Sequence, residues 1–361
     1  MGEDGKIELT DDAQPAAEQG GLPLVTFALF AYNQEKYIRE AVEGAFAQTY
    51  APLEIILSDD CSTDRTFEIM QEMAAAYHGP HRVRVRRNEV NFGTALHVSA
   101  VASVSQGKLI VVAAGDDISL PLRTEKLTQA WIERGSSASA VHSKLIEISD
   151  ADPAKRKEVS ARVEPYAKVD AQWYIRHKAL PFLSPTCAYS RSVFDSFPQL
   201  IGGSIIEDGA LSVRACLIGD LLLVDDFLVL QRKPDKSAGT GYRVSDPDRW
   251  NNFVRSRIIS YFTELRDLSF ISSIDAHQRR HLERYFLTCI QGLSRCVLPP
   301  SPKAAILYRL KVASRLVFSY PSDQGLLDRI YFVLSFLELD RLRGIVFTRK
   351  ILGYIRERGL L

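Results

Sequence analysis

Residues 108–121 read KLIVVAAGDDISLP. Lys108–Ala114 is an apolar-rich run of the kind found in strands covered on both faces. It ends in Gly115 and two adjacent carboxylates, Asp116 and Asp117, before Ser-Leu-Pro turns the chain. Neighbouring like charges are tolerable in water and costly in a cleft, and a divalent cation with hard oxygen ligands relieves the repulsion. A solvated turn is the alternative that the pair alone leaves open.

Working outward, the pattern recurs. Leu24–Phe30 (LVTFALF) and Leu53–Ser58 (LEIILS) are two more apolar strands. Between them, Tyr37, Ile38, Ala41, Val42, Ala45 and Phe46 fall at helical spacing over residues 34–48. Ser62-Thr63-Asp64 supplies a second helix start, and a third helix over 94–106 ends at Gly107. Arg82–Arg87 (RVRVRR) alternates, which predicts a strand exposed on one face. Residues 123–134 read as an amphipathic helix and 137–148 as a strand. Residues 149–165 read as a polar loop, and Asp225-Asp226 as a β-turn within a strand pair. Strand alternating with helix predicts an α/β fold with a mainly parallel sheet flanked by helices. Ligands of such sheets bind beyond the carboxyl ends of the strands. Tyr32-Asn33, Asp59-Asp60 and Asp116-Asp117 follow three of these strands and would meet on one rim.

The whole chain sets bounds on function. It has 361 residues, 46% of them hydrophobic and 25% charged, with a formal net charge of +1. Those are ordinary globular values, and nothing in them points to a nucleic-acid partner. Five scattered cysteines without CxxC spacing argue against a disulfide framework or a zinc site. Residues 1–22 are acidic and Gly/Pro/Ala-rich, and read as a disordered leader. No apolar run is long enough to span a bilayer. His277 and His281 share a helix face, but no glutamate stands between them for metalloprotease chemistry, so they read as surface residues.

Three segments resemble the inverting glycosyltransferases of family 2. They are VTFALFAYNQEKYIREAVEGAFAQTYAPLEIILSDDCSTDRT (25–66), RRNEVNFGTALHVSAVASVSQGKLIVVAAGDDISLPLRTEKL (86–127) and IIEDGALSVRACLIG (205–219). The resemblance covers about residues 23–240 and implies a GT-A, Rossmann-like fold. It implies that Tyr32, Asn33, Asp59, Asp60, Asn91 and Gly93 bind a nucleotide-diphospho-sugar. For Asp59 a purely local turn role stays open, as does a plain helix N-terminus for Asn91 and Gly93. Asp116 matches the metal ligand, for Mg²⁺ or Mn²⁺, and Asp117 either assists at the donor or caps the following turn. Asp208 matches the general base, with Glu207 on the acceptor side. Arg232 stands where relatives reach the diphosphate, a solvated loop being the competing view. The chain departs from the family in two respects: Ala114 and Gly115 stand where a further carboxylate is usual, and Pro234 replaces a histidine.

A GT-A domain is thus expected over 23–245 and an α-helical C-terminal region over 246–361. From Ser301 to Leu361 there are 11 Lys/Arg against 5 Asp/Glu, a local excess of six positive charges. Basic helices rich in Leu, Ile, Phe and Tyr suit an anionic membrane surface, and equally a partner subunit or the catalytic domain itself. The expected function is metal-assisted transfer of a sugar to a saccharide or lipid-linked acceptor, in surface polysaccharide or lipopolysaccharide synthesis. The expected place is the cytoplasm, at the inner face of the cytoplasmic membrane. The alternatives are a degenerate GT-A scaffold and a nucleotidyltransferase, the latter disfavoured because no Gly-rich phosphate loop follows the first strand.

Overall fold

A computed structural model describes residues 21–296, apart from 151, 153–154, 161–168, 179–183, 204–206 and 234–246. The expected leader (up to residue 20), Pro234 and the basic segment 301–361 lie outside the described residues.

The first half is built from β1 (Val25–Ala31), α1 (Ile38–Phe46), β2 (Leu53–Asp59), α2 (Thr66–Ala75), β3 (Arg82–Arg87), α3 (Thr94–Val104) and β4 (Leu109–Ala114). There follow β5 (Ile118–Ser119), α4 (Arg123–Glu133), β6 (Ala140–Ser149), β7 (Arg156–Val159), α5 (Ala171–His177), β8 (Ala188–Ser190), α6 (Ser192–Asp195), α7 (Glu207–Ile218) and β9 (Leu221–Lys233). Two long helices, α8 (Pro247–Asp267) and α9 (Ala276–Cys296), follow. The sheet order is β3-β2-β1-β4-β8-β6-β9-β5, with β7 on β6. Strands β3, β2, β1 and β4 are parallel; β8 runs against β4 and β6, while β9 is parallel to β6. The mixed sheet with helices on its faces is the expected GT-A-like α/β fold.

The apolar runs are explained by burial on both faces. Val25, Phe27 and Leu29 pack with Ile38, Val42, Leu57, Val111 and Trp131 on one side. Ala28, Ile56 and Ile110 pack with Val101 and Ala102 on the other. A third cluster joins the α/β unit to the long helices. Val98, Tyr189, Leu211 and Val213 share it with Val254, Ile258, Phe262, Phe286 and Ile290.

Three expectations are corrected. Arg82–Arg87 is not open to solvent on its arginine side: Arg84 pairs with fully buried Glu54 at 3.1 Å, and Arg86 is itself buried. An arginine face is covered because Glu54 needs a counter-charge. Residues 156–159 form a strand on β6 rather than lying in a polar loop. Asp225-Asp226 is not a turn. It is an outward bulge of β9, where the register slips between Ser143↔Val224 and Lys144↔Phe227. Lys144 and Lys126 pair with the two bulged aspartates.

Phe286 is fully buried in the shared cluster. Phe286→Ala is expected to cost about 3–5 kcal/mol, read as a lower urea midpoint at unchanged slope.

Candidate active site

In the sheet, β1 has β2 on one side and β4 on the other. The crossover from β1 goes to β2 on one side, and the crossover from β3 returns to β4 on the other, so the strand order reverses beside β1 and opens a crevice at its carboxyl end. A cavity of about 400 Å³ lies there. Tyr32, Gln34, Asp60, Asn91, Gly93 and His97 line it from β1, β2 and α3. Tyr189, Glu207, Asp208 and Leu211 line it from β8 and α7, and Val112–Ala114 from β4. Of the residues expected at the site, six share this cavity: Tyr32, Asp60, Asn91, Gly93, Glu207 and Asp208.

Asp60 organises one wall of the cavity. Its Oδ1 accepts hydrogen bonds from Asn88 Nδ2 at 2.6 Å and from the Phe92 N–H at 2.9 Å, while Oδ2 accepts the Gly93 N–H at 2.9 Å. Asn91 Oδ1 takes the same Gly93 N–H at 3.0 Å. Gly93 has a φ of +73°, a left-handed conformation for which glycine carries no Cβ penalty, and it leads straight into α3.

The other expected residues stand behind this wall. Asn33 is also left-handed (φ 52°), and its Oδ1 accepts the Thr63 N–H at 2.8 Å, tying the turn after β1 to the turn after β2. Asp59 is fully buried; it accepts the Ser62 N–H at 2.9 Å and pairs with Arg87 at 3.2 Å. Asp117 is buried, and its Oδ1 accepts the Arg232 N–H at 3.0 Å, joining the turn after β4 to β9. Arg232 itself pairs with Glu40 at 2.6 Å, lies 3.8 Å from Asp150 and stacks over Tyr37.

Burial raises the Asp116 carboxyl above its usual range, opposed by Arg232, Lys233 and a hydrogen bond from Gln34. Gln34 Oε1 is buried without a hydrogen-bond partner and lies over Gly115, where an added Cβ would meet it at 2.4 Å. One carboxylate and one orphaned amide oxygen are hard donors, a set that suits Mg²⁺ or Mn²⁺ retaining other oxygen ligands. Among the described residues, no group of three or more His, Cys, Asp and Glu is placed to hold a metal.

On the opposite wall, burial and the neighbouring Asp208 push the Glu207 carboxyl up to about 8. Asp208 Oδ1 accepts the Gly209 N–H at 2.7 Å. Gly209 permits a close approach: an added Cβ would stand 2.6 Å from Arg257 Nη1 and 2.8 Å from Ser260 Oγ. Helix α8 therefore presses a polar face, Arg257, Ser260 and Glu264, against the start of α7.

Residues 26–197 match the model of Glycosyl transferase family 2. They belong to that family. The segment resembles a putative glycosyltransferase, EpsE, of Bacillus subtilis, at 36% identity over 112 residues, 31% of this chain and 39% of the relative. It also resembles the succinoglycan biosynthesis protein ExoO of Rhizobium meliloti, at 34% over 119 residues, 33% of this chain and 32% of the relative. The chain spans between a quarter and under half the length of the curated relatives it matches. The fold is similar to that of S. aureus TarS 1–349 solved with UDP. There the TM-score is 0.57 at 16% identity, covering 89% of this chain and 92% of that one. The same protein with UDP-GlcNAc gives 0.54 at 17% identity, covering 89% and 93%. Glu207 and Asp208 lie beyond the segment that the family model matches.

Sequence reading missed His97, Gln34 and the Arg257 group. A signal existed for His97, which stands one helical turn after Gly93. None existed for Arg257, brought in by a helix about fifty residues downstream of Gly209. His277 and His281 are exposed on α9.

Glu264 is 2% exposed; Ser260 donates to its Oε1 at 2.9 Å, and its Oε2 has no partner. Burial pushes its carboxyl up to about 7, from 4.5. A folded-state value above the unfolded one contributes stability that is complete below pH 4.5 and lost as pH rises to 7. Glu264→Gln is therefore expected to gain on the native protein across that window, by up to about 3 kcal/mol. Parallel denaturation at pH 5 and pH 8 measures it.

Proposed function

We propose that the protein is an inverting glycosyltransferase. It would move a sugar from a nucleotide-diphospho-sugar to a hydroxyl of a saccharide or lipid-linked acceptor, in surface polysaccharide synthesis. One observation carries the reading: Tyr32, Asp60, Asn91 and Gly93 face Glu207 and Asp208 across a single cavity at the sheet's switch point. The family and the polysaccharide-synthesis names among its relatives support it.

In this reading the nucleoside rests on Tyr32, whose ring is half-exposed, beside the loop that Asp60 holds. Asp59, Asn33 and Asp117 act from behind, fixing the turns that carry the cavity residues. Asp208 takes the proton of the acceptor hydroxyl as its oxygen bonds to the anomeric carbon. The bond from that carbon to the diphosphate breaks, and its electron pair leaves with the nucleoside diphosphate. A carboxylate on the acceptor side, in line with the leaving group, gives inversion. Mg²⁺ or Mn²⁺, held by Asp116 with Gln34 Oε1, would neutralise charge on the leaving diphosphate. Glu207, held largely protonated at neutral pH, would orient the acceptor as a hydrogen-bond donor. Arg232 serves to hold β9 against α1, since Glu40 already pairs with its guanidinium.

The scaffold alternative draws on Ala114, which stands where the family has a further carboxylate. The basic segment 301–361 is proposed to contact an anionic membrane surface. No helix among the described residues is long and apolar enough to cross a membrane.

A thermal-shift panel of UDP-, dTDP- and GDP-sugars, each with and without Mn²⁺, tests the reading. One donor is expected to raise the midpoint, with a Mn²⁺-dependent part that Asp116→Ala abolishes. Asp208→Asn is expected to keep that shift and lose turnover about 10²–10⁴-fold. Donor binding without turnover in the native protein would favour the scaffold.

A further inference from the structure

His97 is a polar group of the cavity wall that the reaction has not used. It is 3% exposed and lines the wall shared by Asp60 and Asn91, with Phe30 edge-on at 5.1 Å. Its Nε2 lies 2.5 Å from Ser58 Oγ, and Arg86 Nη1 lies 2.5 Å from the same oxygen. A guanidinium only donates, so Ser58 accepts from Arg86. The single hydroxyl proton of Ser58 then requires an acceptor, and His97 Nε2 is the one in reach. Burial, reinforced by Arg86 and opposed by Asp60, holds the imidazole down to about 4, so the ring is neutral at pH 7. A neutral imidazole that accepts at Nε2 carries its proton on Nδ1. Nδ1 sits on the ring edge away from Ser58, on a side chain that lines the cavity. The cavity therefore has an N–H donor of fixed tautomer in its wall.

The neighbours of His97 indicate which part of a donor it meets. Phe30 and Tyr32 offer aromatic faces on which a base stacks, and Asn91 adds polar edges. Asp208, on the opposite wall, would repel a diphosphate, and together with Glu207 it suits the acceptor hydroxyl. We infer that His97 reads the nucleobase, donating its Nδ1 proton to the ring carbonyl at position 4 of uracil or thymine. Cytosine presents an amino group there, so its N–H would oppose another N–H. The inference rests on the donor-site reading above and adds a base preference to it.

Isothermal titration with UDP and with CDP, both in Mn²⁺, tests it on the native chain and two variants. His97→Asn keeps a donor at the δ position; His97→Gln keeps a partner for Ser58 and gives up that position. UDP is expected to bind the native chain about tenfold or more tighter than CDP. His97→Asn should retain the preference, and His97→Gln should still bind UDP with the ratio reduced to about twofold or less. Equal affinities in the native chain, or a native ratio in His97→Gln, would overturn the inference while leaving the donor site standing. Failure of the native chain to bind either nucleotide would defeat the donor-site reading itself, and the base preference with it.

Discussion

Strand β1 is hydrogen-bonded on both edges by parallel neighbours and covered on both faces by helices. Everything else follows from that constraint. A strand in this position must be apolar on both faces, so Val25–Ala31 has no polar alternation beyond Thr26. Its two neighbours belong to crossovers that run in opposite directions, which leaves a crevice at the carboxyl ends of the strands. Polar residues placed immediately after β1, β2 and β4 fall into or around that gap. The site is thus a consequence of sheet topology, and the side chains decide its chemistry.

Buried charge is handled by pairing, and the pairs locate the turns. Glu54 lies in the sheet against Thr26 and Arg84. Arg123 is almost fully buried and donates to Ser119 Oγ and to the carbonyls of Val112 and Pro185, bracing β4 against the chain entering β8. Arg214 of α7 pairs with Asp267 of α8 at 2.7 Å, with both side chains buried. Removing one member of such a pair strands the other in a low-dielectric interior, which makes each a strong determinant of packing geometry. The Arg214–Asp267 pair, with Gly209 against Arg257 and Ser260, locks α8 onto the helix that carries Asp208. Helices outside the matched family segment are therefore structural supports of the site.

The two walls differ in how they are held. On one wall Asp60 draws in the 88–93 loop through one side-chain amide and two main-chain N–H groups, and Arg86, Ser58 and His97 continue the network inward. On the other wall, Glu207 and Asp208 stand together at the start of α7, with Arg257 nearby from α8. Burial, reinforced by Asp208, raises the Glu207 carboxyl, and burial raises that of Glu264.

The sequence by itself determined the parallel α/β core, because apolar runs of strand length alternating with helical periodicity permit few other architectures. It also determined the residues at the strand ends, since a position directly after a buried strand is placed by the strand. Its local signals failed where partners come from afar. RVRVRR has the alternation of a solvent-facing strand, yet Glu54 and Asn88 draw its arginines inward. Asp225-Asp226 has the composition of a turn, yet pairing with β6 keeps the strand continuous and pushes the two residues into a bulge. Asp59 and Asp117 carry the same chemical type as Asp60 and Asp208. Only tertiary structure separates those that line the cavity from those that brace the turns behind it. The physical reason is that a charged side chain's role is set by which opposite charge or N–H reaches it first, and those partners lie tens of residues away along the chain.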